Sequence, residues 1–247
     1  FVKPAFAVVV AWMFSARRLG EDIPGYQISG FLYVAVLGLL LAQPDLGQAI
    51  VVSAIWFTQW FLAGLSATWV GLIGLLGITS MIIAYFVFPH VASRIDRFLD
   101  PASGDNYQVD RAMEAFMNGG LFGRGPGEGM AKAYLPDAHS DFILAVAGEE
   151  FGLLACLVLV ALFAFIVLRG LFRVLEDQNL FIVLASSGLL VQFALQAIIN
   201  MASTVNLMPT KGMTLPFISY GGSSLLALAF GMGMLLALTR RRSGGIE

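Results

Sequence analysis

The stretch Tyr134-Leu-Pro-Asp-Ala-His-Ser-Asp-Phe142 sets two carboxylates and an imidazole directly before an apolar run. Asp137, His139 and Asp141 are residue types that move protons, and two roles are open to Asp141. As an N-cap it would accept backbone amides at the start of a helix. As a general base it would take a proton from a hydroxyl on a lipid-borne head group. Burial against Phe142 would raise its pKa and cations such as Arg94 would lower it, so the sign of the shift is not fixed by sequence. Glu149 and Glu150 follow eight and nine residues later, about two turns down a helix that starts at Asp141. Acids at that depth must face a cavity, a cation or a bundle interior, and a structural ion pair explains them as well as a chemical role does. Asp45, after Pro44, is a further supporting acid and is expected to cap the helix that follows.

A second group of candidates lies between Asn206 and Ser224, where Lys211 is followed by Ser219-Tyr-Gly-Gly-Ser223. Backbone amides at Gly221, Gly222 and Ser223, entering a helix, would suit an anion; close helix packing through small residues is the alternative. The run Gly119 to Gly129 holds six glycines in eleven residues. It lacks a Lys-Ser/Thr ending and follows no strand, which argues against a nucleotide loop and for an adaptable binding loop or a flexible connector. His90 and His139 are too isolated to claim a metal. The sequence makes no cofactor certain, and a carboxylate-bound Mg or Mn ion is left open.

These residues need elements to hold them, and composition names the elements. The chain is 58% hydrophobic and 12% charged, where soluble domains run near a quarter charged. Apolar runs recur over Tyr26 to Ala42, Gln48 to Leu65, Trp69 to Phe88, Phe142 to Leu168, Leu180 to Met201 and Ser223 to Leu238. The expected fold is an all-α polytopic membrane protein, residues 1–247 forming one membrane domain with six whole crossings and the end of one more. Residues 89–141 form a large polar loop in which Val109, Ala112, Met113, Phe116 and Met117 recur at helical spacing, predicting an interfacial helix over about 108–118. Cys156, the only cysteine, lies in an apolar run and reads as packing.

Six crossings bring Arg17 and Arg18, Arg169 and Arg173, and Arg240 to Arg242 to one side, which the positive-inside tendency makes cytoplasmic. The large loop and the Ser203 to Tyr220 stretch are then outside. Six cations, Arg94, Arg97, Arg111, Arg124, Lys132 and Lys211, share that disfavoured side. They call for an anionic ligand such as a phosphate, or for pairing with the loop acids Asp96, Asp100, Asp105, Asp110, Glu114 and Glu128.

Three motifs in order, Gln43-Pro-Asp-Leu-Gly47, Leu135-Pro-Asp-Ala-His-Ser-Asp-Phe-Ile143 with Gly148-Glu-Glu-Phe-Gly152, and Leu207-Met-Pro-Thr-Lys-Gly-Met-Thr-Leu-Pro-Phe-Ile-Ser-Tyr-Gly-Gly-Ser-Ser224, resemble the SEDS family (shape, elongation, division and sporulation). The Pro209-Thr-Lys-Gly212 loop and Arg94-Ile-Asp-Arg-Phe-Leu-Asp-Pro101 with Gly104-Asp-Asn-Tyr-Gln108 look like its cell-division branch rather than its elongation branch. The resemblance implies a ten-helix bacterial inner-membrane protein, of which an amino-terminally truncated chain keeps the end of the fourth helix onward. It also implies a peptidoglycan glycosyltransferase at the division septum, active on the outer face, that polymerises lipid II into glycan strands. Asp141 falls on the family's essential acid. Arg94, Arg97, Lys132, His139, Lys211, Ser219, Gly221, Gly222 and Ser223 are then candidates to bind substrate, with Asp137, Glu149, Glu150 and Asp45 as supporting acids. Implied partners are a class B penicillin-binding transpeptidase, other division proteins and membrane lipid, with no nucleic acid. A lipid II transporter and a division scaffold are the competing expectations.

Overall fold

The computed structural model describes residues 1–20, 23–64, 66–100, 107–209 and 212–240. Lys211, Asp105, Arg241 and Arg242, named above, lie outside the described residues. The described residues form α-helices α1 (Val2–Arg18), α2 (Gly25–Ala42), α3 (Leu46–Leu62), α4 (Ala67–Val87), α5 (Pro89–Leu99), α6 (Tyr107–Gly119), α7 (Ile143–Leu175), α8 (Leu180–Thr204) and α9 (Gly222–Leu238), with a short 3-10 turn at Ala131–Ala133. Helices α2, α7 and α8 are long and apolar enough to cross a membrane, while Leu46–Leu62, Gly74–Val87 and Gly222–Leu238 are shorter apolar helices. These six account for the six apolar runs of the sequence.

Helix ends follow local chemistry. Asp45 caps α3 by accepting the Gln48 amide at 3.0 Å, the role its place after Pro44 predicts. Asn179 caps α8, its Oδ1 accepting the Phe181 amide at 3.0 Å. Pro89 opens α5 at a position where a missing N–H costs nothing.

The chain divides into two compact units. The first comprises Phe1–Ser66, Phe165–Ala194 and Gly222–Glu247. Its core joins Phe6, Val10 and Phe14 of α1 to Val51, Val52 and Ile55 of α3 and Leu184 of α8. Gln59, fully buried, donates to the carbonyls of Ala7 at 2.7 Å and Leu184 at 3.1 Å. One carboxamide thus ties α1, α3 and α8 where lipid offers no partner. Arg18 donates from Nε and Nη2 to the Ala63 carbonyl, at 3.1 and 2.6 Å, so a cation sits on the negative end of α3.

The second unit comprises Ala67–Ala164 and Leu195–Gly221. One hydrophobic cluster in it packs Ala112, Ala115 and Phe116 of α6 against Ala131, Leu135, Ala138, Phe142 and Ala145. This redistributes the face expected to lie on a membrane surface. Ala112 and Phe116 turn inward onto the protein, while Met113 and Met117 are exposed. The helix seals a small protein core with one side and keeps its long flexible thioethers on the other.

The apolar run after Asp141 departs further from expectation, because α7 is not continuous. Gly152 has φ +80° and ψ 178°, so the helix breaks three residues after Glu149. Glu149 and Glu150 therefore sit at the end of a short first segment rather than midway down a regular span.

Candidate active site around Asp141

Asp137 starts the turn that delivers Asp141. It adopts φ +56°, and its carbonyl accepts the amides of Ser140 at 3.1 Å and Asp141 at 3.0 Å. Aspartate is among the few non-glycine residues that enter the left-handed region readily. Three consecutive carbonyls beyond it are then each held by a different group. Tyr220 donates its amide to His139 at 2.8 Å, the Ser219 hydroxyl donates to Ser140, and Asn200 Nδ2 donates to Asp141 at 2.9 Å. The loop before α7, the loop before α9 and the end of α8 are thereby joined at one place.

The Asp141 side chain is half-buried. Its carboxyl is raised above the ordinary aspartate value, first by loss of solvent and second by the charge of Asp137. Helix α7 begins at Ile143, so Phe142 rather than Asp141 stands immediately before it. Gly212, at φ +60°, comes so close that a Cβ there would lie 3.4 Å from Asp141 Oδ2. Lys211 precedes it in sequence, outside the described residues.

The other expected site residues have distinct fates. His139 is exposed and contributes its carbonyl to the junction; Asp137 is exposed. Ser219 is buried, with its hydroxyl taken by Ser140 and by the Leu215 amide at 2.7 Å, so it orders backbone instead of facing a ligand. Lys132 pairs with Glu150 at 2.6 Å and donates to the Gly127 carbonyl at 3.0 Å. Arg111 pairs with Glu114 on α6, and Arg124 lies 3.9 Å from Glu149. Carboxylates thus answer for these three of the six unexpected cations. Arg94 and Arg97 lie on α5, Gly222 and Ser223 form the first turn of α9, and Gly221 precedes it. Asp45, the cap of α3, belongs to the first unit. Among the described residues no three carboxylate, histidine or cysteine side chains gather.

The glycine-rich run is tied to α7 rather than slack. It clamps the break in α7: Arg124 and Gly125 donate their amides to the carbonyls of Glu149 (2.9 Å) and Glu150 (3.0 Å), while Leu153 and Leu154 donate theirs to Gly120 (2.9 Å) and Leu121 (3.3 Å). Every backbone group freed by the break must find a partner where water is scarce, and the loop supplies four. The approach is main chain on main chain. A Cβ on Gly119 would lie 1.9 Å from the Gly148 carbonyl oxygen, and one on Gly123 would lie 2.2 Å from that of Glu150. Glu149, 0% exposed, anchors the next segment by accepting the Ala131 amide at 2.9 Å.

Sequence reasoning missed Gln196, Asn200 and Thr204, which support the junction from α8. Their spacing of four in a mostly apolar helix is a readable signal, since polar residues on one helix face inside a membrane seek partners.

Fold and site together define a multi-pass helical membrane protein with a half-buried aspartate pinned at the start of an apolar helix. The family described as "Cell cycle protein", comprising FtsW, RodA and SpoVE, matches residues 1–244, and the chain belongs to it. It is 46% identical over 244 residues to the "Probable peptidoglycan glycosyltransferase FtsW" of Caulobacter vibrioides (strain NA1000 / CB15N), covering 99% of this chain and 63% of that relative. The relative of the same name from Trichlorobacter lovleyi is 40% identical over 251 residues, covering 97% of this chain and 64% of that one. The chain thus spans less than two thirds of the length of these two relatives. Among solved structures, one titled "Structural coordination of polymerization and crosslinking by a peptidoglycan synthase complex" matches at TM-score 0.76 and 28% identity, covering 98% of this chain and 69% of that one. The Thermus thermophilus rod shape determining protein RodA matches at TM-score 0.64 and 29% identity, covering 98% and 64%.

Proposed function

We propose that this chain is the part of a division-type peptidoglycan glycosyltransferase that carries its catalytic base, and that Asp141 is that base. The observation that carries the proposal is a carboxylate of raised pKa, half-buried beside Gly212, on a backbone tied down at three successive carbonyls. The names of the relatives supply the reaction class. A sugar hydroxyl of one lipid II molecule or glycan strand attacks the anomeric carbon of another; a carbon–oxygen bond forms as the bond to undecaprenyl diphosphate breaks, and the leaving group departs with the electron pair. Asp141 takes the hydroxyl proton, and a carboxylate stripped of part of its water is a stronger acceptor than a solvated one. Arg94, Arg97 and Lys211 are the cations assigned to the diphosphate, whose charge grows as the bond breaks. Lys132 serves there only if substrate displaces Glu150. The acting face is extracytoplasmic, the membrane is the bacterial inner membrane at the septum, and the exposed Met113, Met117 and Phe122 rest at its surface. A class B penicillin-binding transpeptidase is the proposed partner, by analogy with the crosslinking complex.

The test is to reconstitute the full-length protein with its transpeptidase and lipid II and to compare it with Asp141→Asn. Glycan polymerisation should fall by about 10²–10⁴-fold, the usual worth of a positioned base; unchanged polymerisation removes the assignment. One observation favours a second reading, lipid II transport: α7 is broken beside a fully buried Glu149, as transporter helices often are near their sites. Loss of lipid translocation with polymerisation intact would select it.

A further inference from the structure

Behind Asp141 stands a column of polar side chains that the proposed reaction does not use. Gln196, Asn200 and Thr204 recur every fourth residue along α8, and all three are 2% exposed or less. In an apolar helix each must find a partner or carry the full cost of an unmade hydrogen bond. Gln196 Nε2 lies 3.1 Å from the Thr214 carbonyl and 3.2 Å from its hydroxyl. Thr204 Oγ1 donates to the Asn200 carbonyl at 2.8 Å and lies 3.4 Å from that of Asp141. Asn200 spans the junction with short bonds, its Nδ2 lying 2.9 Å from the Asp141 carbonyl and 2.6 Å from that of Met213.

A primary carboxamide has two N–H bonds at a fixed angle, so a nitrogen that serves two carbonyls also fixes the distance between them. One carbonyl belongs to the residue bearing the carboxylate. The other belongs to the neighbour of Gly212, where a Cβ would lie 3.4 Å from that carboxylate. We infer that Asn200 is a positioning residue, whose carboxamide sets the separation between the Asp141 carboxylate and the Gly212–Met213 backbone where the acceptor sugar is activated.

This inference rests on Asp141 being the base, and the experiment separates the two. Full-length protein with its transpeptidase is reconstituted in liposomes, and lipid II polymerisation is followed for wild type, Asp141→Asn, Asn200→Leu and Asn200→Ser. Leucine keeps bulk and suits a membrane helix but cannot donate; serine returns one short donor. A misplaced base costs on the order of 100-fold, so kcat should fall by about that much in Asn200→Leu and by about tenfold in Asn200→Ser. KM should stay within about threefold, because only the chemical step is touched. The acid limb of the pH–rate profile should move in both, as the surroundings of the carboxylate change.

A folded variant with wild-type kcat and an unmoved acid limb overturns the inference. So does a loss of kcat with the limb in place, which marks a purely structural role. If Asn200→Leu does not fold, Asn200→Ser decides by the same criteria. Wild-type activity in Asp141→Asn would instead refute the base. An inactive Asp141→Asn beside a wild-type Asn200→Leu would refute the positioning role alone.

Discussion

Replacing Gly152 by alanine should cost the fold several kcal/mol although it adds one methyl group. Two terms contribute. At φ +80° and ψ 178° the backbone lies in a region that is essentially glycine-only, and holding another residue there costs about 1–3 kcal/mol. The new Cβ would also lie 2.4 Å from the Leu121 carbonyl oxygen and 2.5 Å from the Gly123 nitrogen. These are main-chain atoms that cannot swing aside, and overpacking of this kind costs a further ~1–3 kcal/mol. The sum, about 2–6 kcal/mol, is a large share of a typical total of roughly 5–15 kcal/mol. Gly30 in α2 and Gly74 in α4 are the controls, because a Cβ at either meets nothing within 4 Å. Alanine there should be neutral or stabilise by about 0.5–1 kcal/mol. The assay is unfolding of the full-length protein in mixed micelles, with hydrogen exchange at Arg124, Gly125, Leu153 and Leu154 reporting the clamp. A Gly152→Ala protein within about 0.5 kcal/mol of wild type, with those amides still protected, would refute the clamp.

Other expectations follow from the same geometry. Glu149→Ala should destabilise by about 1–3 kcal/mol through the orphaned Ala131 amide, and Glu149→Gln, which keeps an acceptor, should lose less; equal losses in melting experiments would contradict this. The Lys132–Glu150 pair is partly exposed, so a double-mutant cycle on stability should return a coupling of no more than about 1 kcal/mol. Because the Asp141 carboxyl is raised, the folded state binds its proton more tightly than the unfolded chain does. Between the ordinary aspartate value and the raised one, this residue's contribution to stability therefore falls as pH rises, while its activity as a base grows. Asp137→Asn removes the second cause of the shift, so the acid limb of the pH–rate profile should move to lower pH; an unmoved limb would show that Asp137 does not act on the base.

The apolar helices and the Asp45 cap were legible because hydropathy and a Pro-Asp step carry them directly. The place of Asp141 relative to the start of α7 and to its surroundings was not. It turns on whether α7 starts at Phe142 or Ile143, a boundary finer than sequence patterns resolve, and on burial by residues more than fifty positions away. Gly152 looks like one more glycine tolerated in a helix, since its conformation depends on a loop some thirty residues upstream. Ser219 belongs to a small-residue corner that suits an anion, yet its hydroxyl is consumed by Ser140, a partner no local motif reveals. The Gln196, Asn200 and Thr204 column could have been found by asking which faces of the apolar spans are polar, a question that loop motifs do not raise.

The clamp on α7 also bears on how the chain is made. The glycine run leaves the ribosome before the span whose break it must satisfy, so the donors and acceptors for Glu149, Glu150, Leu153 and Leu154 are already synthesised when that span emerges. Were the order reversed, an interrupted helix would enter lipid with bare peptide groups and wait for its complement. Circular permutation that moved residues 119–129 behind α7 would impose that wait, and insertion yield would register it.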